Sequence, residues 1–528
     1  MQGGVMAVDV GTGSARAGIF DDEGRLLGRA EHPILMNRPL ADHAEQSSAD
    51  IWAAIGIAAR RAVELSGLEP AAIRGVAFDA TCSTVCLDAA GQPVCVSTSG
   101  GPQWDVIVWL DHRAVAEAEE CTATGHKVLD FIGGTMSPEM ATPKLAWLKR
   151  HLPQSWEKLG MAFDLADFLS WKACGSLERS ECTVTCKWAY LAHETPGWQQ
   201  DFFAALGLDD LVARGALTER AAPIGRDLGA VLPEAAAHLG ITTSARVGVG
   251  LIDAHAGALG VLGARAGEGA ASLDRRLGLI AGTSTCHMAL SPAPRPTRGV
   301  WGPYLGAVLP GWWLNEGGQS ATGALLDHII RWHAAGAALG DRPHEPILAR
   351  IAELRAAEGA DFAAGLHVLP DFHGNRSPLA DPHARGVVSG LTLDHSLDSL
   401  CRLYYRTAVA IALGTRHILD ALNAEGYAID VLHVAGGHVK NPLLMELYAD
   451  ATGCEVVVPA EEDAVLLGTA IAAATAARLH PDLAAAAAAM SRQGSSRLPD
   501  PARRAGFDRD YRAFLLMHEQ RRALTALA

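Results

Sequence analysis

One local pattern occurs twice in this chain, about half its length apart. Near the start the residues run Val8-Asp9-Val10-Gly11-Thr12-Gly13-Ser14-Ala15-Arg16-Ala17-Gly18-Ile19-Phe20. Later they run Leu279-Ile280-Ala281-Gly282-Thr283-Ser284-Thr285-Cys286-His287-Met288-Ala289-Leu290. Gly11 and Gly282 stand 271 positions apart in a chain of 528 residues. Each copy is an apolar run, a turn of small residues, and a second apolar run. Such turns expose backbone N–H groups and hydroxyls, which suit phosphate oxygens. A single copy reads as an ordinary hairpin loop. Two copies, one per half, point to two related domains gripping one polyphosphate between them.

The first copy reads as a hairpin, with strands over 5–10 and 15–20, a turn at Asp21-Asp22-Glu23-Gly24 and a third strand over 25–32. This strand–loop–strand arrangement differs from the strand–loop–helix of the Walker loop. No Gly-x-x-x-x-Gly-Lys-Ser/Thr run occurs, nor the His-Arg-Asp and Asp-Phe-Gly set of protein kinases.

Further along, strands are expected at 73–78, 106–110 and 245–251, and a helix at 143–152. The second half reads as a long helix over 396–423, a strand at 429–435, Gly436-Gly437, a helix at 442–452, a strand at 455–459 and a small-residue helix at 465–479. The alanine run 484–489 favours helix, and the tail at 511–524 has helical spacing. The pattern implies two α/β domains with a cleft between them, with limits at 1–252 and 253–480 and a helical tail at 481–528.

Apolar residues make up 49%, ample for sizeable cores. The net charge of −15 argues against nucleic-acid or anionic-membrane partners. It does not forbid ATP, since local N–H groups and a cation outweigh a diffuse field. The ten cysteines include no Cys-x-x-Cys pair; Cys82/Cys86 and Cys182/Cys186 lack zinc spacing, so buried thiols of a cytoplasmic protein are expected. The first strand opens within a few residues of Met1, leaving no room for a leader, and no apolar run is long enough to span a membrane.

The motifs VDVGTGSARAGIF, VWLDHRA, LIDAHAGALG, AGTSTCHMAL, NEGGQSATGALLDHI, LPDFHGNRSPLADPHARGVVSGL and VAGGHVKNPLLMELYADATGCEV resemble, in order and spacing, the FGGY carbohydrate kinases. The resemblance runs from about residue 5 to 479. It implies an α/β fold of two ribonuclease H-like domains, of the actin/hexokinase/Hsp70 type, with an interdomain active-site cleft. Departures are Gly374-Asn375-Arg376 where the family commonly has Gly-Glu-Arg, Ser399-Leu400 at the start of a helix, and Glu139 and Ala141 before the matching Lys144-Leu145-Ala146-Trp147-Leu148.

The resemblance implies ATP as co-substrate and Mg²⁺ as its cation. It makes Asp253 the general base and a metal-side carboxylate, with Asp9 holding Mg²⁺ through water. Read locally, Asp253 is equally a helix N-cap. Thr12, Gly13, Ser14 and Arg16 would meet the phosphates from one domain, and Gly282, Thr283 and Ser284 from the other. Gly436, Gly437 and Asn441 would line the nucleotide, although Asn441 also reads as a plain cap. Gln319 and Gly323 would link nucleotide and sugar sites.

For the sugar, the resemblance points to Asp111, Lys187, Asp253 and Glu316, and to the turn Ala80-Thr81-Cys82-Ser83. The Thr-Cys-Ser turn resembles the D-ribulokinase branch; L-ribulokinases carry Asp-x-Thr-Gly-Ser there. The implied reaction is phosphorylation of a ketopentose, D-ribulose first, with L-ribulose, another pentulose or a pentitol as alternatives. The small-molecule partners are the sugar and ATP, and a homodimer is compatible with this reading. An actin- or Hsp70-like ATPase would leave Asp111, Lys187 and Glu316 without a task, and a retired sugar sensor would not need intact Asp9, Asp253 and both loops.

Overall fold

The apolar run after Gly3 forms strand Gly4–Val10, buried along its whole length. It pairs antiparallel with Ser14–Asp21, Val10 opposite Ala15 and Asp9 opposite Arg16, so the first Gly/Thr/Ser turn is a hairpin. The second copy repeats this: Arg276–Ala281 pairs with Thr285–Ser291, Ala281 opposite Thr285. The molecule is seen in a computed structural model that describes residues 3–359, 362–461 and 463–527.

Each hairpin sits inside a seven-stranded sheet. In the first, the order is Leu26–Pro33, Ser14–Asp21, Gly4–Val10, Ile73–Ala80, Arg246–Gly248 and Asp227–Ala230, with Leu251–Ile252 also beside Ile73–Ala80. The second runs Trp301–Leu305, Trp313–Gln319, Thr285–Ser291, Arg276–Ala281, Val431–Ala435, Glu455–Pro459 and Gln493–Arg497. In both, the first hairpin strand continues into two parallel neighbours and an antiparallel edge. Parallel neighbours need long crossovers, and helices supply them. Ser48–Ser66 opens on the Ser47 hydroxyl, which accepts from the Asp50 N–H. Leu397–Ala424 opens on Ser396, which accepts from Ser399.

Three elements differ from expectation. Only Val106–Ile107 of the strand expected at 106–110 is paired, because the chain turns where the Asp111 N–H bonds Val108 O (3.0 Å). The strand expected at 245–251 is split, since the Val249 N–H leaves the ladder for Arg226 O (2.9 Å). The tail is not wholly helical. Between helices Leu483–Met490 and Arg504–Thr525 it supplies Gln493–Arg497, the edge strand of the second sheet.

Two helices join the halves. Asp253–Leu262 follows directly on Leu251–Ile252. Ala464–Ala476 crosses back onto the first sheet, where the Thr469 hydroxyl donates to Asp79 Oδ2 at 2.5 Å. The two helices touch backbone to backbone: a Cβ on Gly468 would lie 1.8 Å from Ala256 O, and one on Gly260 would lie 2.1 Å from Ala464 O. No described helix is long and apolar enough to cross a membrane.

Candidate active site

The strand ends of both sheets bring the two hairpin turns and the Asp253 helix start to one cleft. In the first turn the Gly11 N–H closes onto Ser14 O at 3.0 Å. Thr12 is fixed through its carbonyl, which accepts from Gln46 Nε2 (2.9 Å), and its hydroxyl, which accepts from Trp109 Nε1 (3.0 Å). Among the described residues, neither the Thr12 nor the Gly13 N–H has a backbone acceptor, so both remain available to an anion. Arg16 Nη2 lies 2.8 Å from Asp9 Oδ2.

The second turn is one residue shorter, with Gly282 N–H on Ser284 O at 2.8 Å and Ala281 opposite Thr285. Gly282 O gathers the nucleotide-side segments: it accepts from Gly323 N (3.1 Å), Thr322 Oγ1 (3.2 Å) and His438 Nε2 (3.0 Å). Burial pulls His438 down to about 4, so a neutral ring donates here. Gly436, at φ 88°, comes so near that a Cβ would stand 2.5 Å from Ala281 O. Gly437 opens the short turn leading to helix Pro442–Thr452. Thr283 is exposed at the tip of this turn and Ser284 half-buried beside it.

Two expected nucleotide contacts have structural duties instead. Asn441 Oδ1 accepts from the Leu443 and Leu444 N–H groups and Nδ2 donates to the Tyr404 hydroxyl, so the side chain is a cap. Gln319 turns into the second domain, donating to Ile411 O and Thr415 Oγ1 (both 3.1 Å).

Asp9 and Asp79 are register partners on adjacent parallel strands, and both are fully buried. Burial pushes Asp9 up to about 7 against the pull of Arg16, and burial and the neighbouring Asp9 charge raise Asp79 well above the usual carboxylate range. Asp253 is also raised by burial, with nearby charges from Arg16 and Glu316 opposing one another. Its Oδ1 accepts from the Ala254 N–H at 2.7 Å, the helix-start bond. Neither Asp9 oxygen, nor Asp79 Oδ1, has an aligned hydrogen-bond donor. Among the described residues no three ligating side chains close a direct metal shell. Buried hard oxygens at a phosphate turn fit Mg²⁺ retained largely through water. Sequence reasoning placed Asp79 only at the head of the segment 79–85 that the resemblance turns toward the sugar, and did not foresee its pairing beside Asp9.

Deeper in the cleft, Ala80 ends its strand opposite Val10 and offers only backbone. The Thr81 and Ser83 hydroxyls bond each other (3.1 Å), and Ser83 Oγ accepts from the Trp109 N–H (3.2 Å), so both brace the turn. Cys82 is the half-buried member, its thiol pushed up to about 12 by burial amid charges from Lys187, Asp164 and Lys144. Lys187, from helix Glu181–Lys187, lies 3.7 Å from Glu316 Oε2, from strand Trp313–Gln319. Burial disfavours the Glu316 charge, yet Lys187 and His255 hold the carboxyl down at about 2.

Four residues outside the expected set complete the pocket. Trp301 lies under both Lys187 Nζ (4.3 Å to the ring centre) and the Arg376 guanidinium (5.1 Å). Arg376 reaches Glu139 Oε2 across the cleft at 3.5 Å, and His112 Nε2 stands 3.6 Å from Glu139 Oε1. In sequence Glu139 stood out only as a departure from the family pattern, and Arg376 only as the neighbour of the departing Asn375.

Asp111 does not join this pocket. It is fully buried, and its oxygens accept from Ala44 N, Arg113 N, Arg113 Nε and Arg113 Nη2, at 2.6–3.0 Å. No lone pair remains for a sugar hydroxyl, and its task is to hold Arg113.

Residues 5–260 match the model of the N-terminal domain of the FGGY family of carbohydrate kinases, and residues 277–477 that of its C-terminal domain. An FGGY carbohydrate kinase domain-containing protein of Danio rerio is 44% identical, over 99% of this chain and 98% of its own length. A D-ribulokinase of Saccharomyces cerevisiae is 37% identical, over 89% of this chain and 71% of its own. Among solved structures, a xylulose kinase from Rhodospirillum rubrum superposes with a TM-score of 0.80 at 23% identity, covering 99% of each chain. That likeness is one of fold: two ribonuclease H-like α/β domains.

Proposed function

We propose, from the premise that the chain belongs to the FGGY family of carbohydrate kinases and is therefore a phosphotransferase acting on a sugar hydroxyl, that its acceptor is a ketopentose, D-ribulose first. The observation that carries this reading is the buried Lys187–Glu316 pair beside Asp253 and the Thr81-Cys82-Ser83 turn. A fixed donor and a fixed acceptor in a dry pocket select a polyhydroxylated ligand that satisfies both. The yeast relative named a D-ribulokinase supports the choice of sugar.

In this reading Asp253 accepts the proton of the terminal hydroxyl as that oxygen bonds to the γ-phosphorus of ATP. The bond to the bridging oxygen breaks and ADP leaves. The raised proton affinity of Asp253 suits that role. Thr12, Gly13 and Ser14 with Arg16 would hold the phosphates from one side, and Gly282, Thr283 and Ser284 from the other. Gly323, Gly436 and Gly437 would give the nucleotide room. Mg²⁺, held near Asp9, Asp79 and Asp253, would supply neutralisation of phosphate charge. Free thiols at all ten cysteines fit a cytoplasmic setting.

The test is ADP release with D-ribulose, L-ribulose, D-xylulose, pentitols and glycerol as acceptors. The highest kcat/KM is expected with D-ribulose. Release that none of the pentuloses or pentitols raises above background would overturn the reading.

A further inference from the structure

Beneath the Lys187–Glu316 pair lies a histidine with no part in the phosphoryl transfer described above. His255 is the third residue of helix Asp253–Leu262 and is fully buried. Its Nδ1 faces Cys182 Sγ at 3.1 Å and Cys186 Sγ at 3.9 Å, both on helix Glu181–Lys187. Its Nε2 faces Glu316 Oε2 at 3.3 Å, on the second sheet. Cys182 also meets the Ile252 N–H, at 3.4 Å, just before Asp253. One ring thus joins the helix that opens with Asp253, the helix that ends with Lys187 and the strand that carries Glu316.

Which oxygen of Glu316 is engaged matters. Lys187 Nζ, at 3.7 Å, addresses Oε2, the same atom that His255 addresses. Both side chains converge on one oxygen, and Oε1 is left as the acceptor for a ligand hydroxyl. The titratable groups around the ring are Cys182, Cys186 and Lys187 from one helix, Glu316 from the sheet and Asp253 on its own helix, with Tyr304 beside Lys187 and Cys186. With thiols at Nδ1 and the carboxylate at Nε2, the ring is held in one orientation between the two.

We propose that His255 is a positioning residue for the sugar site, pinning Glu316 by Oε2 so that Oε1 faces the ligand. The proposal rests on the sugar-kinase reading of this pocket.

His255→Gln keeps a donor and removes the ring that bridges thiols and carboxylate. It should raise KM for D-ribulose about tenfold, with KM for ATP unchanged and kcat within a few-fold. Glu316→Gln should do the same, and the double variant should be no worse than Glu316→Gln alone. Additive losses, or a fall in melting temperature with KM for D-ribulose unchanged, would make His255 structural only. A second measurement holds even if the variant does not fold. In wild-type protein labelled with 15N-histidine, the His255 ring signals should shift when D-ribulose is added without ATP. A ring that does not respond to bound D-ribulose would overturn the proposal. If wild-type protein neither binds nor phosphorylates D-ribulose, the choice of sugar fails. A change of the His255 ring signals in Glu316→Gln still judges the His255–Glu316 coupling.

Discussion

Asp9 and Asp79 face the same cleft from neighbouring parallel strands, both fully buried, with the Arg16 guanidinium 2.8 Å from Asp9 Oδ2 as the cation beside them. Two carboxylates so placed are a standing electrostatic cost in the ligand-free protein. The following expectations test that cost and its use.

An ordinary aspartate ionises near 3.8, and folded Asp9 near about 7. Between those values the unfolded chain is ionised while the folded chain keeps its proton. This contribution therefore favours folding below pH 3.8 and is lost as pH rises through about 7. Asp9→Asn should melt at a higher temperature than wild type at pH 8 without ligands, the difference vanishing at pH 4. The same variant should lose Mg²⁺-dependent turnover. Melting curves across pH with no gain at pH 8 would contradict the burial argument.

Asp253→Asn keeps the helix-start acceptor for the Ala254 N–H and removes the proton acceptor. Turnover should drop about 10²- to 10⁴-fold, the usual contribution of a general base. KM for sugar should change far less, and the melting temperature little. Near-native kcat would remove Asp253 from the reaction.

Asp111→Asn is expected to act on stability. It breaks a buried pair and leaves Arg113 with Glu45 as its remaining carboxylate partner, at 2.9 Å. Losing one member of a buried ion pair costs about 3 kcal/mol or more. Chemical denaturation should show that loss, with KM for sugar in the folded fraction unaltered. A stable variant with a raised KM would return Asp111 to the sugar site.

Cys82→Gly empties space at the one half-buried position of a turn whose neighbours are braced. The preference for D-ribulose over L-ribulose should fall, by an amount corresponding to about 1–3 kcal/mol. Equal losses for both sugars with a lowered melting temperature would identify a packing thiol instead.

The duplicated hairpin was legible because apolar runs flanking small-residue turns have one simple solution, and both copies adopt it. The helix at Pro442–Thr452 was equally plain, with its Asn441 cap and Gly453 stop. Gln493–Arg497 was not, since its polar residues form an edge that only the neighbouring strand organises. Asp111 reads in sequence as a free carboxylate; nothing in the string says that Arg113, two positions on, consumes its lone pairs. Glu139 and Arg376 are 237 positions apart, and only the closing of two domains makes them neighbours. His255 sits two residues from Asp253, yet its thiol partners come from another helix and its carboxylate from the other sheet.

The bond from Thr469 to Asp79 spans 390 positions. During synthesis from the N-terminus, one face of the first sheet therefore stays bare until nearly the whole second domain has left the ribosome. The opening half of the chain waits, unfinished and apolar on that side, for a helix encoded near its end. A protein truncated between the halves would not yield a working nucleotide-free sugar domain. It would yield a sheet without its cover, and a stop codon anywhere before that helix deprives both domains at once.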